Sequence, residues 1–80
     1  MITKLPEKSF VVGFKEVKKE IQAKTVSYAV LANNAPDKIV SSIKGTGIAH
    51  DVFDGDEIRL GTTLGKSFPV AVVGFKEAKK

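Results

Sequence analysis

"SFVVGFKEVKKEI", Ser9 to Ile21, decides the fold, because its hydrophobic period changes at a single glycine. Ser9 to Val12 is a short apolar run that reads as a buried strand, stopped by Gly13. From there Phe14, Val17 and Ile21 recur at i, i+3 and i+7, while Lys15, Glu16, Lys18, Lys19, Glu20 and Gln22 take the other faces, the pattern of an amphipathic helix. A strand running directly into a helix is the unit of a layered α/β domain. Its core, "VVGFKEVKK", returns with one difference as "VVGFKEAKK" from Val72 to Lys80.

The remaining chain repeats the alternation. "SYAVLA", Ser27 to Ala32, is apolar after its first residue and rich in strand formers, so it is expected as an inner strand buried on both faces. In "NNAPDKIVSSIKG" an Asn serves as cap, Pro36 starts a helix of about two turns, Ile39, Val40 and Ile43 share a face, and Gly45 stops it. "AHDVF" is a third strand, and "DGDEIRLGTTLG" a third helix with acidic residues at its start and Gly65 at its end. "FPVAVVGF" is the last strand, with Pro69 as its first residue, where no ladder N–H is needed. Strand, helix, strand, helix, strand, helix, strand with short connections argues for an α/β domain around one four-stranded mixed sheet.

Eighty residues make a single domain, 1–80, of marginal stability, because a chain this short buries only about 60% of its unfolded surface. With 42% hydrophobic and 28% charged residues it is expected to fold. Cysteine is absent, which leaves no disulfide and no thiolate metal site. No run of eighteen apolar residues marks a membrane span and the first ten residues have no apolar leader region, so a soluble, cytoplasmic protein is expected. The net charge of +4 favours polyanions, although a basic surface is also compatible with simple solvation.

Three motifs bear on chemistry. "GTTLGKS", Gly61 to Ser67, approaches a phosphate loop, but only three residues separate its glycines and Pro69 follows too soon for a helix. The end of a helix accounts for it better. Asp51, Asp54, Asp56 and Glu57 do not match a calcium loop and read as turn and capping carboxylates. No nucleophile can be paired with His50, the only histidine, and no enzymatic activity, metal or cofactor is expected. "GFKEVKK" is more informative: Lys15 and Lys19, four apart on one face with Glu16 beside them, sit near a helix N-terminus, where the dipole gives a cation no benefit. They serve either as a polyanion contact or as a solvated face.

"VVGFKEVKKEI", "VLANNAP", "GTGI" and "FDGDEIRLGTTLGKSFPVAVVGF" resemble, in order and spacing from Ser9 to Phe75, large-subunit ribosomal protein thirty of archaea and eukaryotes. That family belongs to the kink-turn RNA-binding superfamily, and "VFDGDEI" is closer to the archaeal members. The resemblance implies a three-layer α/β/α sandwich whose strand-to-helix loops form one RNA-binding edge. It implies that Gly13, Lys15, Glu16 and Lys19 lie against purine edges and phosphates of a bent RNA. It further implies that Asn33 and Asn34 offer amide groups at the end of the second strand, and that Gly65, Lys66 and Phe68 cover unstacked bases. Phe68 keeps two readings, stacking and core burial. The implied partners are ribosomal RNA with a kink-turn or similar bend and neighbouring large-subunit proteins, with the chain a monomer within the ribosome. Relatives usually carry an N-terminal helix where "MITKLPEK" stands, a Gly-Lys where Ala23 and Lys24 stand, and an acidic segment where "KEAKK" stands. The second glycine-phenylalanine copy has too little chain after it for a stable helix, so its lysines are expected on a frayed tail.

Overall fold

A computed structural model describes Ile2, Leu5 and residues 9–76 of the chain. The seven elements follow the expected order: β1 (Phe10–Val12), α1 (Phe14–Gln22), β2 (Val26–Leu31), α2 (Asp37–Thr46), β3 (Ala49–Val52), α3 (Glu57–Thr63) and β4 (Val72–Lys76). The strands form one mixed sheet in the order β1-β4-β2-β3. β4 is antiparallel to both of its neighbours and β2 is parallel to β3. β1, β2 and β3 therefore point the same way. All three strand-to-helix turns, together with the segment entering β4, come to one end of the sheet.

The two faces of the sheet are sorted by the period-2 alternation of the inner strands. Ala29, Leu31 and Val72 face Val17 and Ile21 of α1 and Ile43 of α2. Val30, Ala32, Val73 and Phe75 face Leu60 of α3 and Phe53 on the other side. The result is the α/β/α sandwich, with β2 buried on both faces as its sequence requires. Val26 breaks the parity, since it joins Ala29 and Leu31 rather than Tyr28 and Val30. A register irregularity between Val26 and Tyr28 on the β2–β4 pair turns it over. On the α3 face the Tyr28 hydroxyl donates to Asp51 Oδ2 at 3.4 Å. Burial, with the Asp51 charge and this bond added, pushes the Tyr28 phenol above its ordinary range.

The two "VVGF" copies turn out to be partners. They pair antiparallel with each other, Val11 opposite Gly74 and Val12 opposite Val73, and then part company. At Gly13 the backbone takes φ 95° and ψ 139°, a region closed to residues with a Cβ, and the chain turns into α1. Gly74 is needed for a different reason, because a Cβ there would stand 2.9 Å from Val26 Cγ1 and 3.1 Å from Val17 Cγ1. The second copy stays in the sheet. Lys76, expected on a frayed tail, is instead the last residue of β4, and its N–H donates to the Ser9 carbonyl at 2.8 Å. Lys79 and Lys80, the other lysines of that expectation, lie outside the described residues.

Three boundaries differ from the sequence reading. α2 runs through Gly45 and ends at Gly47, whose φ of 77° closes the helix, so it is a full ten residues. A glycine inside a helix costs about 1 kcal/mol against alanine but does not break it. Pro36, not an asparagine, occupies the N-cap of α2, with no side-chain capping bond. β4 begins at Val72 rather than Pro69, because residues up to Pro69 are held against α3. Gly65 does close α3, with φ 78°: its N–H donates to Thr62 O and that of Lys66 to Gly61 O, the paired bonds of a Schellman motif.

α1 ends in the same motif, with Lys24 N–H on Ile21 O and Thr25 N–H on Glu20 O. Here the left-handed position falls to Lys24, φ 64°, a conformation that strains a residue with a Cβ. Lys24→Gly is expected to raise stability by about 1 kcal/mol in urea unfolding. No change would show that Lys24 does not hold the left-handed turn.

Candidate nucleic-acid interface

Three strand-to-helix turns meet at the end of the sheet, and the segment 70–72 entering β4 joins them. The Gly13 N–H donates to Val72 O at 3.3 Å, the Ala32 N–H to Ala71 O at 2.9 Å, and the Val70 N–H to Glu57 O at 3.0 Å. The Asn33 N–H reaches Gly55 O at 2.9 Å, which fastens the turn after β2 to the turn after β3. Three successive residues thus tie the ends of β1 and β2 and the start of α3 to one another. Gly13, Asn33 and Asn34 share that edge.

Lys15, Glu16 and Lys19 project from the first two turns of α1, and all three are exposed. They stand on a rigid base, since Val17 and Ile21 on the opposite side of the helix are buried in the core. Gly13 is the N-cap and no side chain caps the helix, which leaves backbone N–H groups at the edge beside the lysines. Lys18, also exposed, lies over the Phe14 ring, 5.7 Å from its centroid.

On the opposite side of the sheet, the segment Gly65 to Pro69 is held against α3. A Cβ on Gly61 would fall on the Phe68 carbonyl oxygen, closer than any non-bonded approach allows. Gly61 lies inside α3 and Lys66 and Ser67 open no helix, so "GTTLGKS" does not form a phosphate loop. Lys66 Nζ sits 5.8 Å from the centroid of the Phe10 ring. Phe68 is 51% exposed, which removes the core-burial reading of this residue.

Phe68 does not stand alone. Ile58, 67% exposed, is the other large apolar side chain open to solvent among the described residues. The two line one cleft of about 310 Å³ with Thr62, Lys66, Ser67 and Pro69. A neighbouring groove shares Ile58 and Thr62 and runs on past Arg59 to Asn33, so the apolar cleft connects with the amide end of β2. Sequence reasoning missed Ile58, Arg59 and Thr62. The signal was present, since the helix that buries Leu60 and Gly61 must turn Ile58 outward, and no polar residue was placed there.

Asn34 Oδ1 accepts the Glu57 N–H at 2.9 Å, and Asp56 Oδ1 accepts the Arg59 N–H at 2.9 Å. Two side chains therefore cap α3, as the capping reading of these carboxylates requires for Asp56. Among the described residues no group of three His, Cys, Asp or Glu side chains is arranged to hold a metal ion.

A sandwich of this topology with its loops gathered at one end has known relatives. The chain belongs to the Ribosomal protein L7Ae/L30e/S12e/Gadd45 family, which it matches over residues 3–80. Among solved structures it is similar to a protein of unknown function from Bacillus halodurans, with 25% identity and a TM-score of 0.76 over 86% of this chain and 72% of that one. It also shares its fold with the Giardia lamblia 15.5kD RNA binding protein, at 18% identity and a TM-score of 0.71 over 89% of this chain and 62% of that one. No curated protein matches the sequence.

Proposed function

We propose that this chain binds RNA containing a kink-turn or a similarly sharp bend, and does so as a protein of the large ribosomal subunit. The observation that carries the reading is the gathering at one edge of two exposed lysines on α1, two amides after β2 and an exposed aromatic beside Lys66. RNA is read best where bases leave the stack, and such an edge offers both charge for the backbone and surfaces for splayed bases. Lys15 and Lys19 take phosphates, Glu16 accepts from base amino groups, and Asn33 and Asn34 meet base edges. Gly13 lets the backbone approach, Gly65 and Lys66 aim the opposite loop, and Phe68 stacks. Membership of a family that includes ribosomal proteins supports the ribosomal part of the reading, with ribosomal RNA and neighbouring subunit proteins as partners.

A second reading, a free-standing kink-turn protein of another ribonucleoprotein, has support in the shared fold with the 15.5kD RNA binding protein. Co-sedimentation with large subunits in a lysate is the result expected for the first reading, and its absence that expected for the second.

The edge itself is tested by substitution. Lys15→Ala and Lys19→Ala are each expected to lower the preference for kink-turn RNA over a straight duplex. Lys76→Ala, in the second copy, should weaken both RNAs alike and slightly, by about one phosphate contact in the salt dependence. Loss of the preference in Lys76→Ala with retention in the other two would put recognition elsewhere.

A further inference from the structure

The turn from β3 into α3 lies at the margin of the sheet, and its backbone is held from both sides. Toward β2, the Phe53 N–H donates to Leu31 O at 2.7 Å and Gly55 O accepts the Asn33 N–H at 2.9 Å. The alternation of an extended chain turns the intervening groups the other way, and Ile2 meets them. Its N–H donates to Val52 O at 2.9 Å and its carbonyl accepts the Asp54 N–H at 2.7 Å, a parallel bridge centred on Phe53. The Ile2 and Leu5 side chains pack on the cluster that contains Phe53 and Leu60 of α3, so apolar contact backs the two backbone bonds. The turn has little slack: Phe53 is buried, and a Cβ on Gly55 would stand 2.8 Å from the Phe53 ring and 2.8 Å from Arg59 Cδ.

We infer that Ile2 and Leu5 are positioning residues for the edge, fastening the outer side of the β3–α3 turn and through it the turn after β2 and the start of α3. This rests on the RNA-binding reading above and adds to it residues whose role is to hold the edge rather than to touch RNA. Without Ile2, Val52 O and the Asp54 N–H form an open sheet edge, and the Asn33–Gly55 bond joins a turn that is free on its other side. A turn held on one side opens locally at a lower cost than the core. Bent RNA needs the seated arrangement, so its affinity falls in proportion to the time the turn spends open. A straight duplex held mainly through charge loses little.

Ile2→Asp puts a charge among these apolar side chains and releases the segment, whereas Ile2→Leu keeps the apolar seat and both backbone bonds. Amide hydrogen exchange on the full chain without RNA is read at Asp54, at Asn33 and at Val17, whose N–H is bonded to Gly13 O on the opposite face of the sheet. Ile2→Asp is expected to speed exchange at Asp54 and Asn33 by about 10-fold or more and to leave Val17 unchanged. In titrations well below Tm it is expected to lower the ratio of kink-turn to duplex affinity by about 10-fold, a ratio from which the added charge largely cancels. Ile2→Leu should match the unsubstituted chain in both measurements. Leu5→Ala trims the same packing without adding a charge; it should give the same pattern at smaller size, and it carries the test if Ile2→Asp does not fold. Unchanged exchange at Asn33 overturns the inference, as does equal acceleration at all three amides, which is a general loss of stability. An unchanged affinity ratio in a variant whose Asn33 amide has opened overturns it too. If the unsubstituted chain prefers neither RNA, the parent reading fails and the RNA part of this one with it, while the exchange arm still decides whether the segment holds the turn.

Discussion

Gly61→Ala should lower stability by about 3 kcal/mol and, in the fraction that still folds, strip the edge of its preference for bent RNA. The methyl group has no room, because it would fall on the Phe68 carbonyl oxygen, and that oxygen belongs to backbone. The backbone there cannot yield easily. On one side the Lys66 N–H is bonded to Gly61 O at 2.8 Å, and on the other the Val70 N–H is bonded to Glu57 O at 3.0 Å. Lifting the segment breaks these bonds and opens Leu60 and Val70, both buried. Overpacking of this kind costs about 1–3 kcal/mol, and the lost bonds place it at the upper end. For an 80-residue chain with about 4–12 kcal/mol in total, that is a large share. Urea unfolding measures it directly. A variant as stable as the parent would mean that the segment does not lie on α3.

Phe68→Ala should do the reverse, leaving stability within about 0.5 kcal/mol and weakening RNA binding by about 1–3 kcal/mol, roughly 5- to 150-fold. The ring is half exposed and contributes little to either core cluster, so its removal leaves no cavity. Its worth is realised when a base replaces water over its face. Phe68→Leu keeps apolar area without the flat ring and should recover only part of the affinity. Unfolding midpoint and affinity measured on the same preparation decide the matter. A large loss of stability with unchanged affinity of the folded protein would reject the stacking role.

The fold was legible in the sequence wherever the deciding interactions are local. The step from "SFVV" to "FKEVKKEI" fixed β1, Gly13 and α1 because hydrophobic period and a conformational demand at Gly13 act within a few residues. "SYAVLA" declared an inner strand through its lack of polar positions. Misplaced boundaries were those settled by distant contacts. An asparagine of this turn looked like a cap for the helix that follows it, yet Pro36 stands there and Asn34 caps α3, because only the tertiary arrangement brings Glu57 to it. Gly45 looked like a stop, but Ile43 is fully buried against the sheet, and packing of that face carries α2 over the glycine to Gly47. Pro69 was read as the first residue of a strand because the close seat of Phe68 on Gly61 leaves no mark in either residue's neighbours in sequence.

The candidate edge divides in the same way. Lys15 was visible because a cation at a helix N-terminus gains nothing from its dipole, whereas Lys19 falls in the last turn of the nine-residue α1, where the dipole favours it. Ile58 was overlooked because its apolar character reads as core, although a helix that buries Leu60 two residues on turns it outward. Likewise, the near-identity of the two glycine copies concealed a difference in physics: one glycine is there for its backbone angle, the other for the absence of a side chain.

The central claim is that this edge recognises the shape of RNA as well as its charge. It is tested most directly by titrating the unsubstituted chain against a kink-turn RNA and a straight duplex of equal length across a series of salt concentrations. The expected result is a tighter complex with the kink-turn at every salt concentration, each affinity falling with a log–log slope of magnitude roughly 2–5 as a few lysines displace counterions. Equal affinities for the two RNAs throughout the series would contradict it.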